Sequence, residues 1–407
     1  INMVTMMRLF HFLKFFMEKL WSKDYVLNIV GNLLLFVVFY LLMVYTTKLA
    51  ITEFNVSVSE AGLASGIFIV GALVARLVIS RYMDFIGRKR MLIIAVVIHA
   101  ICTFGYHFID GMLFLCTLRF VQGMTYGMAS TVIATTVASI VPESRRGEGI
   151  GYFTLSITLG SAIGPFLGIS LPQINPLYAL VLCDVLSISL IVLAFILNIT
   201  EIKVGFRQRV EVKSFRLRTF FEPTAIPISI VALLGAIGYS AVMSYIGTYS
   251  ETIGLLLGGS LFYIAYSIAC LIFRPISGVM IDRYGNHVVM VPILFTMILG
   301  FVAIALAHSN LVLLLGAVLV GIGYGSIPSA GQTIAVQKVK LNKFSLATST
   351  LYIALDLGNG IGPYILGMVV PIYGFRAVYM CSAIAALLAF LFYIGMIIKS
   401  RKENVAV

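Results

Sequence analysis

Apolar residues in this chain do not alternate with polar ones. They run together in blocks of about 20, each ending in a charge cluster or a Gly, Pro or Asn turn. A helix of that length covers the roughly 30 Å of hydrocarbon in a bilayer. Twelve such runs are found, at 27–49, 60–80, 90–109, 112–138, 150–170, 177–199, 226–249, 259–281, 288–307, 311–335, 346–369 and 376–398. Backbone groups in lipid must find their hydrogen bonds internally, so the runs are predicted to be helices. The predicted fold class is an all-α membrane protein with twelve transmembrane helices.

Composition agrees, with 60% hydrophobic and only 11% charged residues over 407 positions, against about 25% charged in soluble domains. The charges then set the orientation. Of 28 Lys and Arg, 23 lie before the first run, in the even-numbered connections or in the tail. By the positive-inside rule both termini are expected in the cytoplasm, and the location is expected to be a bacterial inner membrane. The net charge of +12 thus reflects topology and anionic lipid, and no nucleic-acid partner is expected. The five cysteines, Cys102, Cys116, Cys183, Cys270 and Cys381, sit inside apolar runs at unrelated spacings, as small core residues do. Residues 1–25 read either as an amphipathic helix on the inner leaflet or as a segment whose first 16 residues precede a native start at Met17.

"VISRYMDFIGRKR" at 78–90 has a counterpart in "PISGVMIDRYGNH" at 275–287. In register, Arg76, Ser80, Asp84 and Gly87 fall on Arg274, Gly278, Asp282 and Gly285, an offset of 198. The same offset carries Gly123, Tyr126 and Gly127 onto Gly321, Tyr324 and Gly325, and Gly160, Gly164 and Pro165 onto Gly358, Gly362 and Pro363. The expected organisation is a cytoplasmic segment 1–25, a six-helix bundle 26–199, a basic linker 200–224, a second pseudo-symmetric six-helix bundle 225–398 and a tail 399–407. Parallel halves of this kind place a substrate site between them near the bilayer midplane and expose it alternately to either side.

Three motifs carry a resemblance to the major facilitator superfamily, and within it to the twelve-helix drug:proton antiporters. A Gly-x-x-x-Asp-Arg-x-Gly-Arg-Lys pattern after the second helix is matched by Ser80, Asp84, Gly87, Arg88 and Lys89, with Ser80 and Phe85 departing from it. The second half keeps Gly278, Asp282, Arg283 and Gly285. The resemblance implies a cytoplasmic latch at these residues. Arg119, Gln122 and Gly123 match a fourth-helix motif whose Arg the resemblance implicates in proton coupling. Gly151, Gly160, Gly164, Pro165 and Gly168 match the antiporter signature of the fifth helix, with Ile169 in place of its last Gly. The glycines are expected to allow close packing between the halves and the Pro to bend the helix. This signature points to export.

A charge at the bilayer centre costs about 2.5–3.5 kcal/mol on insertion scales, which makes every deeply placed ionisable residue a functional candidate. Asp356, Asp184 and Arg119 are the candidates for proton coupling. A carboxylate desolvated in a membrane cavity holds its proton more tightly than one in water, as coupling requires. Asp356 leads, because Tyr352, Asp356 and Asn359 share one helical stripe. Arg119, Gln122, Tyr126 and Ser130 form a second stripe, and Asn28, Asn32 and Tyr40 a third. With Tyr245, Tyr266 and Gln332 these are expected to line a wet cavity, although Tyr239, Tyr245, Tyr249, Tyr263 and Tyr266 are equally ordinary at helix interfaces. Arg76 and Arg274, near the cytoplasmic ends, are read as parts of the latch that bind headgroups or helix ends, and His99 as a hydrogen-bonded packing residue.

The expected function is proton-coupled export of a small, drug-like or amphipathic organic molecule by alternating access. The alternative is a dedicated exporter of an endogenous metabolite such as a carboxylate-bearing metallophore, or an importer of sugars or organic anions on the same scaffold. Enzymatic activity is not expected, since no nucleophile-and-base pair, metal-ligand cluster or phosphate loop stands out. The expected partners are substrate, protons and lipid, with no cofactor or metal, and the chain is expected to act as a monomer.

Overall fold

A computed structural model describes residues 20–54, 56, 58–201, 220–337 and 339–405, without the side chains of 47, 51, 58–65, 79–81, 84 and 399–405. Segment 1–19, the central linker 202–219 and the side chain of Asp84 lie outside the described residues. Twelve long helices follow one another: α1 (Lys23–Glu53), α2 (Val58–Ile86), α3 (Arg88–Gly105), α4 (Met112–Ile140), α5 (Arg146–Ile174), α6 (Pro176–Ile196), α7 (Ile226–Thr252), α8 (Leu256–Tyr284), α9 (Asn286–Ala305), α10 (Asn310–Gln337), α11 (Phe344–Gly367) and α12 (Val370–Val405). Among the described residues there is no strand.

Nine of these helices are long and apolar enough by themselves to cross a membrane, counted over the described residues. The other three, α2, α4 and α11, carry Arg76, Arg119 and Asp356, and they pack on one another. Three turns between helices hold a glycine with positive φ, Gly254 between α7 and α8 at 71° being one. Gly87, between α2 and α3, has φ 95°, and Gly285, between α8 and α9, has φ 89°. That left-handed conformation is strained for any residue with a Cβ, and Gly87 and Gly285 are 198 positions apart. A fourth positive-φ glycine, Gly374, with φ 75°, interrupts α12 near its start.

The internal repeat is visible in the packing. In the first half α1 packs on α5, α2 on α4 and α3 on α6; in the second α7 packs on α11, α8 on α10 and α9 on α12. Small residues set these distances. A Cβ on Gly123 would stand 2.1 Å from the Phe68 carbonyl oxygen, and one on Gly321 would stand 2.7 Å from that of Tyr266. Gly127 meets Ala72 as Gly325 meets Cys270, so both glycines and both partners keep the 198 offset. Between the halves, α5 lies against α8 and α2 against α11, a pairing that the repeat also relates.

The packing corrects one expectation. Gly160, Gly164 and Gly168 face Phe36, Tyr40 and Leu41 of α1, within their own half, and only Gly151 of the fifth-helix motif meets the other half, at Arg274. The reason is helical period: residues 160, 164 and 168 form one i, i+4 ridge, and α1 occupies it.

Gly123→Ala and Gly321→Ala are each expected to overpack a backbone contact and to destabilise by about 1–3 kcal/mol, lowering the melting temperature in detergent. Gly247→Ala, at a glycine with no neighbour within 4 Å, is expected to stay within about 0.5 kcal/mol of the parent.

Candidate functional site

Where α2 meets α11, a charge from each half comes to the divide. Arg76 is 4% exposed, and its Nη1 lies 2.9 Å from Asp356 Oδ2. Its Nη2 donates to Ser130 Oγ of α4 at 3.2 Å. The guanidinium also stands 4.9 Å from the ring centre of Tyr352 and 5.9 Å from that of Tyr126. Ser349 Oγ of α11 donates to the Arg76 carbonyl at 3.0 Å. Such a pair repays its desolvation only when both partners are present, and removing one partner of a buried pair typically costs about 3–5 kcal/mol. The expectation that Arg76 binds a headgroup or helix end is corrected: it pairs with the leading proton-coupling candidate.

Arg274 stands at the repeat-related position in α8 and behaves differently. Its Nε donates to the Gly325 carbonyl and its Nη1 to the Thr154 carbonyl of α5, in the other half. The first-half position that corresponds to Asp356 is Thr158. The carboxylate is therefore not repeated, and Arg274 is held by main-chain dipoles.

Further contacts close the same seam toward one end of the bundle, the end that carries the α2–α3, α4–α5, α8–α9 and α10–α11 connections, called here the basic end. Asp282 Oδ1 accepts from Gly147 N at 2.7 Å and Oδ2 from Glu148 N at 2.9 Å. A carboxylate is thus set on the N-terminus of α5, where the helix dipole and free N–H groups favour an anion. Gly147 and Gly278 permit it, since a Cβ on Gly278 would stand 2.2 Å from the Gly147 carbonyl oxygen. Arg88 is fully buried; it donates to Ser139 Oγ at 2.9 Å and reaches Leu341 O and Ser345 Oγ of the other half at 3.4 Å. Gln332 Nε2 donates to the Ala134 carbonyl at 3.1 Å and its Oε1 accepts from Tyr352 Oη at 3.1 Å.

Aromatic rings cluster in each half near the ion pair, the ring centre of Tyr126 of the first half lying 5.9 Å from the Arg76 guanidinium. In the first half Phe39 stacks on Phe68, centroids 4.7 Å apart, and on Tyr126 at 5.0 Å. In the second half Tyr239 stacks on Tyr266 at 5.3 Å and on Tyr324 at 4.1 Å. Tyr40 lies against Phe39, centroids 4.7 Å apart. Tyr324 Oη and Asn359 Oδ1 are 3.4 Å apart.

Several residues expected in this cavity lie elsewhere. Asn32 Nδ2 donates to Ser156 Oγ at 2.8 Å in the α1–α5 contact, and Asn28 Nδ2 to the Asp24 carbonyl at 2.7 Å. Both are buried within the first half, because the ridge that carries them faces α5. Arg119 and Gln122 are buried inside the same half. Gln122 Oε1 accepts from Tyr106 Oη at 2.7 Å and from Arg119 Nη1 at 3.2 Å, its Nε2 donates to Thr103, and the Arg119 guanidinium stands 4.5 Å from the ring centre of Phe68. His99 sits at the edge of this network, 3.1 Å from Thr125 Oγ1. Tyr245 donates to the Pro363 carbonyl at 2.6 Å and packs on α11. Asp184 is far from the seam. It pairs with His107 at 2.7 Å beyond the end of α3 and lines an apolar groove of about 320 Å³ with Ile101, Phe104 and Ile188.

Sequence reasoning misassigned Arg76 and passed over His107 and Glu201. Arg76 could have been matched to Asp356 by requiring each charge within a span to find an opposite one. His107 lies in a short turn that no helical period reaches. Glu201 accepts from the N–H groups of Arg88 at 2.8 Å and Lys89 at 3.0 Å, capping α3 from the start of the linker, and nothing local signals a partner 112 residues away.

The sequence model of the Major Facilitator Superfamily matches residues 28–265 and again 257–406. The chain is 25% identical to the multi-drug resistance efflux pump PmrA of Streptococcus pneumoniae over 342 residues, covering 82% of this chain and 84% of the pump. It is 21% identical to the staphylopine export protein of Staphylococcus aureus over 343 residues, covering 78% and 82%. Among solved structures it is similar to the human organic anion transporter MFSD10, with a TM-score of 0.74, 16% identity and coverage of 91% and 100%, a likeness of fold alone. Two matches that together run through both halves of the repeat, on a twelve-helix membrane fold closed by an inter-half seam, make this chain a member of the Major Facilitator Superfamily, a family of membrane transporters.

Proposed function

We propose that the protein exports a small amphipathic organic molecule in exchange for protons, and that Asp356 carries the proton. The observation behind this reading is the Arg76–Asp356 pair at 2.9 Å, which joins the two halves inside the membrane. If the basic end faces the cytoplasm, as the distribution of Lys and Arg argues, this pair belongs to the contacts that shut the cytoplasmic side. With Asp356 charged, the pair favours the outward-facing form. A proton arriving from outside removes that charge and weakens the tie, so the protonated protein shifts toward the inward-facing form. Loss of the proton to the cytoplasm restores the carboxylate, and the protein returns outward with substrate in the aromatic cleft. Proton and substrate therefore travel in opposite directions on one equilibrium.

In this reading Arg76 is the positioning partner of Asp356. Asp282, Gly278, Gly147, Arg88 and Gln332 hold the closed end, and Tyr40, Tyr126, Tyr324, Tyr352 and Asn359 meet the substrate. Arg119 and Gln122 stiffen the first half behind Phe68, and Asp184 takes no part in the exchange. The protein acts as a monomer in a bacterial cytoplasmic membrane, with both termini inside. The efflux-pump relative supports export. A second reading, export of one endogenous carboxylate-bearing metallophore, draws on the staphylopine-exporter relative and on the excess of arginine over carboxylate at the seam.

Two experiments test the exchange. In vesicles, efflux is expected to rise as the external pH falls below the internal pH and to collapse with a protonophore. Asp356→Asn is expected to remove that pH dependence and to reduce driven transport at least a hundredfold; gradient-driven efflux that survives in the folded variant rules Asp356 out. Separately, Asp282→Ala removes two charge-assisted hydrogen bonds worth about 1.5–3 kcal/mol each. Spin labels on the α4–α5 and α10–α11 connections are expected to show the basic end opening in that variant by double electron–electron resonance.

A further inference from the structure

Each half carries a cluster of three aromatic rings, two of them at repeat-related positions. Phe68 and Tyr126 of the first half stand 198 positions before Tyr266 and Tyr324 of the second. In the second half Tyr239 from α7 stacks on both, with planes 25° and 15° from theirs; in the first half Phe39 from α1 packs on both, with planes 27° and 28°, while Phe68 and Tyr126 also touch each other, centroids 5.2 Å apart and planes tilted by 49°. The triplets differ in chemistry. The first presents two Phe and one Tyr; the second is all Tyr and continues into Asn359 through Tyr324. Tyr40 packs against Phe39, centroids 4.7 Å apart.

The charges nearby do not balance. Asp356 is matched by Arg76, and Arg274 adds a second guanidinium, whose partners described here are carbonyls. With Asp356 ionised these three groups sum to +1; with a proton on Asp356 they sum to +2. In either state a cation entering the cleft meets repulsion within a low-dielectric surround.

We infer that the two triplets are opposite walls of one slot, and that the transported molecule is a flat aromatic compound without net positive charge. Its apolar face lies toward Phe39 and Tyr40, and its polar edge toward Tyr324 and Asn359. This rests on the transport reading above but adds a substrate class to it. The arrangement is selective by shape, since only a thin ring system fits alongside a stack without disturbing it, and by charge, since the arginine excess acts at any pH at which Asp356 titrates.

The full-length protein in proteoliposomes decides the matter. Direct binding is measured with 7-methoxycoumarin, a flat uncharged fluorophore, and competition with N-methylacridinium, a flat cation, and with 1-adamantanol, a compact uncharged saturated cage. The coumarin is expected to bind at least tenfold more tightly than either competitor, about the yield of one good aromatic contact. Tyr239→Leu is expected to cost the coumarin about tenfold with the thermal melt retained, and Tyr239→Phe to recover most of that loss. The inference is overturned if the acridinium or the adamantanol binds as well as the coumarin, if none of the three binds, or if Tyr239→Leu folds and binds the coumarin unchanged. Failure of proton coupling is read separately, from the pH dependence of efflux, so a protein that selects flat uncharged rings without a proton requirement would retain this inference and lose the exchange mechanism.

Discussion

A guanidinium from one half and a carboxylate from the other meet at 2.9 Å inside the membrane, and the molecule is arranged so that neither stands alone in hydrocarbon. Low dielectric makes the pair strong when formed and costly when broken. The helices that bring the two charges together, α2 and α11, pack directly on each other, and α4 supplies Ser130 and Tyr126 to the same point. Glycine makes this proximity feasible. Gly123 and Gly127 let α4 approach α2 to backbone contact, and Gly358 and Gly362 do the same for α11 against α7. The charge pair is thus positioned by two small-residue interfaces, one inside each half.

Duplication explains the scaffold, and its breakdown explains the site. Both halves keep the arginine of the second helix, Arg76 and Arg274, along with the glycine ridges and the aromatic triplets. They differ where chemistry is wanted: Asp356 has Thr158 for its counterpart. One arginine is therefore tied to a group that can take up a proton, and the other to carbonyls that cannot. A symmetric molecule with two such carboxylates would hold its seam with two titrating ties. This one confines titration at the level of the paired arginines to a single residue and leaves the mirrored position as fixed structure.

Much of the fold was legible because membrane physics writes it in long apolar runs. The run predicted over 226–249 falls within Ile226–Thr252, and that over 288–307 nearly coincides with Asn286–Ala305. The helices are generally a few residues longer than the runs, since hydropathy stops at the first charge and the helix does not. The site was legible only in part. Tyr352, Asp356 and Asn359 share a stripe, and the structure puts that stripe on the divide, but the same logic applied to Asn28 and Asn32 failed. A polar stripe shows that a helix face has polar neighbours, and says nothing of whether these are water, substrate or another helix of the same half. Asn32 has Ser156, and Arg119 has Gln122. Spacing alone cannot separate a cavity from a buried network, since both satisfy the rule that polar groups in the membrane need partners.

The closed end is held by contacts of two kinds, and the difference bears on how a proton could move it. Asp282 on the α5 N-terminus, Arg88 against the start of α11, and the glycine approach of Gly147 to Gly278 are contacts in which Asp356 takes no part. A proton on Asp356 removes only the Arg76–Asp356 tie. Inverting a two-state equilibrium from 1:99 to 99:1 takes about 5.5 kcal/mol, and losing one buried pair supplies about 3–5 kcal/mol at most. In the exchange proposed above, a proton alone would tilt the balance without reversing a strongly closed state, and the remaining contacts would have to leave the two forms within a few kcal/mol of each other. The seam is suited to that. It is narrow, built on backbone approach and single hydrogen bonds, and bordered by aromatic clusters that each belong wholly to one half and can move with it intact.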